Sequence, residues 1–313
     1  MRNLLFRRLL VSVPLVLVVS LFTFVLQALI PGDVARTLLG TTGTQQQYEA
    51  LRDNLHLNEP FWVQYGSYLD GLVHGRLGSS VFTGEAVTDS IAARLPVTLS
   101  LVGFGILLSA LLGVLLGVWS AVRGGVVGKV VDFLAVVGFA LPSFWFGLIL
   151  ISLFAVELPL FPASGYVPLL TSPGEWIASL VLPAVALAMG GVAGVAKMTQ
   201  DGMVEAMSQD YIRTLRACGV SRRSLIWKHA LKNSSTSVVT VLGLLFVGML
   251  SGSIVVENIF SLPGLGSLAV SATSQHDVQV VQGVAITFTV LVVVVNVLAD
   301  LVQGWLNPKV RIS

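Results

Sequence analysis

The sequence is poor in charge. Only 11% of its 313 residues are Asp, Glu, Lys or Arg, against roughly 25% in ordinary soluble domains. So few charges cannot clothe the surface of a soluble globule of this length, and the 55% hydrophobic content excludes a disordered chain. With a net charge of +2, no basic patch of nucleic-acid-binding strength is available. Cysteine is nearly absent. Cys218 stands alone, which excludes an internal disulfide and a cysteine-based metal cluster. The histidines, His56, His74, His229 and His276, are scattered without ligand spacing. There is no H-E-x-x-H, G-x-S-x-G or C-x-x-C. The nearest approach to a phosphate-binding loop, Arg123-Gly-Gly-Val-Val-Gly-Lys129-Val130, has Arg where Gly is required and Val where Ser or Thr is required. No catalytic, cofactor-binding or metal-ligating residue is therefore assigned, and the chain is not expected to be an enzyme.

Long apolar runs are what it has. Six charge-free stretches are long enough to cross about 30 Å of hydrocarbon as helices: Leu9 to Gly32, Leu95 to Val122, Phe133 to Val156, Trp176 to Ala196, Asn233 to Val256 and Val278 to Ala299. They do not alternate and are too long for barrel strands, so an all-α polytopic membrane protein is expected. The first stretch follows Arg2, Arg7 and Arg8, like a signal peptide. It exceeds the length of a signal-peptide apolar region and lacks a cleavage site, so it is read as retained. Fourteen Lys and Arg fall on the side holding both termini, and Arg36, Arg52, Arg76 and Arg94 on the other. The positive-inside rule makes the first side, and both termini, cytoplasmic. Acidic residues divide the opposite way, five inside and eleven outside, so the balance is +9 inside and −7 outside. Near-span acids (Asp132, Glu157, Glu257, Asp300) lie at span edges, and Gln27 and Asn296 are mild mid-span groups. No ion or proton relay is apparent, so a secondary transporter or channel is the weaker class. GxxxG pairs (Gly113 with Gly117, Gly190 with Gly194, Gly248 with Gly252) allow close helix packing.

Three parts are expected: residues 1–94 as first span and external loop, 95–306 as a five-helix core, and 307–313 as a cytoplasmic tail. In the external loop, Thr44 caps a helix over Gln45 to Leu55. Asn58 and Pro60 open a second helix through Phe61, Tyr65, Leu69 and Leu72, which Gly75 and Gly78 end. Phe61, Trp62 and Tyr65 either pack inward or face an external partner. The core carries a polar cytoplasmic loop at 197–232 holding seven of the eighteen basic residues. It reads as helix, glycine turn at Gly219, and a second helix capped by Ser221, an elbow suited to binding a protein.

Asp210-Tyr-Ile-Arg-Thr-Leu-Arg-Ala-Cys-Gly219, followed by Trp227-Lys-His-Ala-Leu-Lys-Asn233, resembles the cytoplasmic EAA loop of ABC-importer permeases, in particular the dipeptide/oligopeptide branch. Further elements are similar, in order along the chain: Ile30-Pro-Gly-Asp33, Arg94-Leu-Pro-Val-Thr98, Leu141-Pro-Ser-Phe-Trp145, Phe161-Pro-Ala-Ser-Gly165, Val256-Glu-Asn-Ile-Phe-Ser-Leu-Pro-Gly-Leu-Gly266 and Asn307-Pro-Lys-Val-Arg311. Leu215, Cys218 and Ser237 depart from the Ala, Lys and Pro usual in that branch.

The resemblance implies a type I ABC importer permease fold in the plasma (cytoplasmic) membrane. It also implies a second, related permease completing the pore, cytoplasmic ATPase subunits or tandem domains carrying ATP and Mg, and an extracytoplasmic substrate-binding protein. No cofactor is expected on this chain. Tyr211, Arg213, Leu215, Arg216, Ala217 and Gly219 become candidates for the ATPase-coupling elbow, with Arg213 and Arg216 orienting it and Tyr211, Leu215 and Cys218 giving its apolar face. Ser143, Ser253 and Asn296 are candidates for the substrate pathway. Di- and oligopeptides are the expected substrates, with nickel and glutathione as alternatives.

Overall fold

The computed structural model of the chain describes residues 2–29, 34–40, 44–55 and 57–306. The Ile30–Asp33 and Asn307–Arg311 motifs, the 307–313 tail, His56 and the Gln27 side chain lie outside the described residues. Apolar residues in long unbroken runs satisfy their backbone polar groups internally as helix, and helix dominates here. The elements are α1 (Arg2–Leu29), α2 (Val34–Leu39), α3 (Gln45–Asn54), α4 (Phe61–Val73), α5 (Val87–Arg123), α6 (Gly125–Ala140), α7 (Ser143–Leu150), α8 (Pro173–Ser208), α9 (Asp210–Ala217), α10 (Arg222–Ser224), α11 (Leu231–Ile259), α12 (Leu265–Gln275) and α13 (Val278–Leu306). Wider π turns extend α7 over Ile151–Glu157 and join α10 to α11 over Leu225–Ala230.

Four helices among the described residues are long and apolar enough to cross a bilayer: Val87–Arg123, Pro173–Ser208, Arg222–Ile259 and Val278–Trp305. They cover the predicted second, fourth, fifth and sixth spans. α1 covers the predicted first span as far as Leu29. The predicted third span differs. Phe133 to Val156 is not one straight helix but a pair, α6 and α7, bent by 99°. Pro142 is the cause. It disfavours helical backbone at the preceding residue, and Leu141 accordingly sits at ψ 122°. The predicted fourth span also runs on, from Ala196 to Ser208. Its first charge, Lys197, meets Asp132 and Asp201 at 3.0 Å each.

The chain divides into two compact units, Met1–Arg2, Thr98–Leu262 with Val294–Ser313, and Asn3–Val97 with Pro263–Val293. In the first, α8 is the buried axis: 61% of its apolar window is buried, compared with 11–39% in the other long spans. It packs on α6, α7 and α11. The Gly113/Gly117 pair of α5 meets it closely. A Cβ on Gly113 would lie 2.6 Å from Val195 Cβ, and one on Gly117 2.5 Å from the Ala196 carbonyl oxygen. The Gly190/Gly194 and Gly248/Gly252 pairs are looser, with nothing nearer than 3.1 Å to an added Cβ.

The second unit holds the external-loop helices. Thr44 caps α3 with a reciprocal capping box to Gln47. α4 lies along α1 through Phe24 and Phe61, whose ring centres are 5.0 Å apart, and through Tyr65, whose hydroxyl meets Ser20 at 2.9 Å. Phe61 and Tyr65 thus pack inward, while Trp62 stays exposed. Val87, Ile91, Leu265, Ala272, Val280 and Val284 form this unit's core.

A Gly117→Val substitution would drive two methyl groups into the backbone of α8. Overpacking of this kind costs about 1–3 kcal/mol or more. The expected result is a lower melting temperature of the detergent-purified chain than for Gly248→Val, where no atom lies within 4 Å of an added Cβ.

Candidate functional site

The elbow predicted at 197–232 is present, and its shape follows from local chemistry. Gln209 is extended, with ψ 150°. Asp210 then begins α9, favourably placed by charge at a helix N-terminus. The helix ends in a paired cap in which the Val220 N–H donates to the Leu215 carbonyl and the Gly219 N–H to the Arg216 carbonyl, both at 3.1 Å. That cap requires a left-handed residue between its two bonds, and Gly219 supplies it at φ +80°. Ser221 opens the second arm by accepting from the Ser224 N–H at 3.4 Å.

Ile212, 1% exposed, anchors the first arm. It is a residue that sequence reasoning passed over, although it sits inside the elbow motif. The second arm is anchored by Ile226 and Ala230, which join Val118 of α5 and Met203 and Ala206 of α8 in one apolar cluster. The elbow is therefore clamped onto the ends of two long helices.

Of the predicted elbow residues, Tyr211, Arg213, Arg216, Ala217 and Gly219 are exposed and Leu215 is half-buried. Cys218 is exposed as well. The apolar side facing the protein is thus carried by Ile212, while Tyr211 is exposed, as is Trp227 of the second arm. Arg213 bonds to Asp210 of its own helix at 3.1 Å. The exposed side of the elbow carries aromatic and basic groups, Tyr211 and Trp227 with Arg213 and Arg216.

The pathway candidates are dispersed over three helices. Ser143 is half-buried at the first turn of α7 and Asn296 half-buried in α13. Ser253 is fully buried, with its hydroxyl donating to the Leu250 carbonyl of α11 at 2.9 Å.

Sequence reasoning placed Glu257 at a span edge, but its side chain is fully buried. The Thr98 hydroxyl donates to its carboxylate at 2.7 Å. The Glu257 carbonyl accepts from the Leu262 N–H at 2.8 Å. The available signal was that Thr98 and Glu257 both fall in motifs of the resemblance.

Residues 113–312 match the family of binding-protein-dependent transport system inner membrane components, and residues 1–102 match the family's N-terminal region. The chain belongs to this family. As an inner membrane component of such a transport system it has full-length relatives. A putative peptide transport system permease protein of Brucella abortus (strain 2308) is 41% identical over 312 residues, 99% of each chain. An oligopeptide transport system permease protein of Bacillus subtilis (strain 168) is 36% identical, covering 97% of this chain and 98% of that one. A dipeptide transport system permease protein of Escherichia coli (strain K12) is 34% identical over 97% of each. The fold is that of a type I ABC importer permease. A solved inward-facing methionine ABC transporter matches 71% of this chain and 94% of its own, with a TM-score of 0.50 at 16% identity.

Replacing Thr98 by Val would leave the buried Glu257 short of one donor at nearly unchanged volume. A loss of about 1–3 kcal/mol is expected. The check is the thermal midpoint of the purified protein, which should fall well below that of Thr98→Ser.

Proposed function

We propose that this inner membrane component is the pore-forming permease subunit of an ATP-driven importer of di- and oligopeptides. The observation that carries this reading is the similarity, over 97–99% of the chain, to relatives described as peptide, oligopeptide and dipeptide permeases. In this reading the bent α6–α7 pair counts as one span and α1 as another, giving six. The skew of Lys and Arg puts both termini and the elbow in the cytoplasm.

The pore is completed by a second, related permease. Two cytoplasmic ATPase subunits or domains supply ATP and Mg, which this chain does not hold, and an extracytoplasmic binding protein supplies substrate. The chain itself performs no catalysis. The basic, aromatic outer face of α9 and the second arm docks on the ATPases. Their closure moves the elbow, and the Ile212 and Ile226 anchors pass that movement to the ends of α5 and α8. The pathway runs past the small and polar residues of the long helices, with Ser143, Ser253 and Asn296 as candidates.

The decisive experiment is uptake of labelled dipeptide by cells lacking this chain, with nickel and glutathione as parallel substrates. Lost dipeptide uptake is the expected outcome; unchanged dipeptide uptake with lost nickel or glutathione uptake would reject the peptide reading. A Gly219→Leu variant forces a side chain into left-handed backbone at a cost of about 1–2 kcal/mol. It should keep ATPase activity in the assembled complex while lowering uptake by roughly tenfold, the equivalent of about 1.4 kcal/mol. Full uptake in that variant would remove the coupling role.

A further inference from the structure

A groove of about 320 Å³ lies between α5, α6 and α8, wholly within the first unit. Every residue lining it is Leu, Val, Ala, Gly, Met or Phe. Leu116, Val131 and Ala196 lie at one end, where Lys197 reaches across to Asp132 at 3.0 Å. Leu108, Phe146 and Val185 lie at the other. At 1.5 Å per helical residue, the lining stretch of α8 from Val185 to Ala196 is about 16 Å long. Half of a bilayer's hydrocarbon is about 15 Å, so the groove has the depth of one leaflet.

The residues beyond the Ala196 end are those of a membrane surface. Ala196 closes the charge-free run of α8. On α5 the groove ends at Leu116, and Trp119, half exposed, follows within one turn, as tryptophan does at the edge of the hydrocarbon. Arg123 comes seven residues after Leu116, and so on the same stripe of the helix as Leu112 and Leu116. Arg123 and Lys129 are exposed, and among the described residues neither pairs with a carboxylate. The acids within two turns of the lining are Asp132 and Asp201, and Lys197 holds each at 3.0 Å. Arg123, Lys129 and Lys197 against two carboxylates leave one positive charge in surplus at this end.

No hydrophobic force drives apolar groups together within lipid. An unfilled groove still forfeits the dispersion contacts of its walls, so a chain that matches its length is held by packing. Basic residues at the membrane surface then select an anionic headgroup. We propose that the groove is a binding site for an anionic phospholipid of the leaflet on the Arg123 side. One acyl chain lies between α5, α6 and α8, and the phosphate-bearing headgroup lies at Arg123 and Lys129. In the orientation proposed above this is the cytoplasmic leaflet. The assignment rests on the membrane placement of these helices and not on the transported substrate. It makes lipid a structural partner of the helix ends that seat the elbow, since Val118 and Met203 follow the groove on α5 and α8.

The test is native mass spectrometry of the assembled transporter, stripped of lipid in detergent and re-equilibrated with phosphatidylglycerol or phosphatidylcholine. The wild type should retain one phosphatidylglycerol more than Val192→Phe, which fills the groove from α8. It should retain phosphatidylglycerol over phosphatidylcholine by about tenfold, and Arg123→Gln combined with Lys129→Gln should bring the two lipids close to parity. Those two side chains lie at the surface, so the charge variant decides the matter even where Val192→Phe fails to assemble. Equal retention by wild type and both variants, or no headgroup preference in the wild type, would overturn the site. So would cross-linking of Leu112→Cys, in a Cys218→Ser background, to the second permease, because the groove would then be covered by protein. Peptide uptake is not a readout here, so loss of the peptide reading leaves the lipid result standing, and the reverse.

Discussion

Where α5 crosses α8, Gly113 and Gly117 let two backbones approach until an added Cβ would strike Val195 or the Ala196 carbonyl. It joins α5 to α8, the helix on which α6, α7 and α11 also pack. In lipid there is no hydrophobic force between helices, so association depends on van der Waals contact and on small residues that permit it. Held at this spacing, the ends of α5 and α8 present Val118, Met203 and Ala206 as one apolar patch. The elbow seats its second arm on that patch. Without the close crossing, Ile226 and Ala230 would have no common surface to bury.

Much of this was legible in the sequence. Charge-free runs of helical length announced the long helices, and Thr44, Ser221 and Gly219 marked a cap, a second cap and a turn that the structure realises as written. Short-range chemistry is local, and local rules read it. What escaped depends on distant partners. Three predicted spans carry a GxxxG pair, yet of these only Gly113/Gly117 is tight, because the partner surface decides and no single helix encodes it. Glu257 looked like a helix-end charge because nothing in its neighbourhood reveals that Thr98, 159 positions earlier, gives it a donor. Ile212 sat unnoticed among flashier neighbours, since one isoleucine in an eight-residue polar helix carries no periodicity.

The break at Pro142 is a middle case. Proline inside an apolar run is tolerated in membrane helices when neighbours satisfy the freed carbonyls, so one continuous span was a fair expectation. The pair opens by 99° instead. The extended Leu141 ends one helix, and Pro142, itself extended at ψ 132°, is the N-cap of the next. The predicted site divides along the same line. The elbow candidates share one short helix and its glycine cap because they are neighbours in sequence, whereas Ser143, Ser253 and Asn296 come from three helices and were chosen for polarity alone.

The elbow is stapled shut by its glycine cap and rooted in residues belonging to α5 and α8. It is therefore fixed to those helices rather than tethered to them, and cannot be exchanged without its seat. A graft of residues 210–232 from a relative would carry over Ile226 and Ala230 or their substitutes but leave Val118, Met203 and Ala206 behind, and mismatched volumes would let the joint slip. The heritable module is larger than the motif, and includes the Val118 end of α5 and the Met203–Ala206 end of α8.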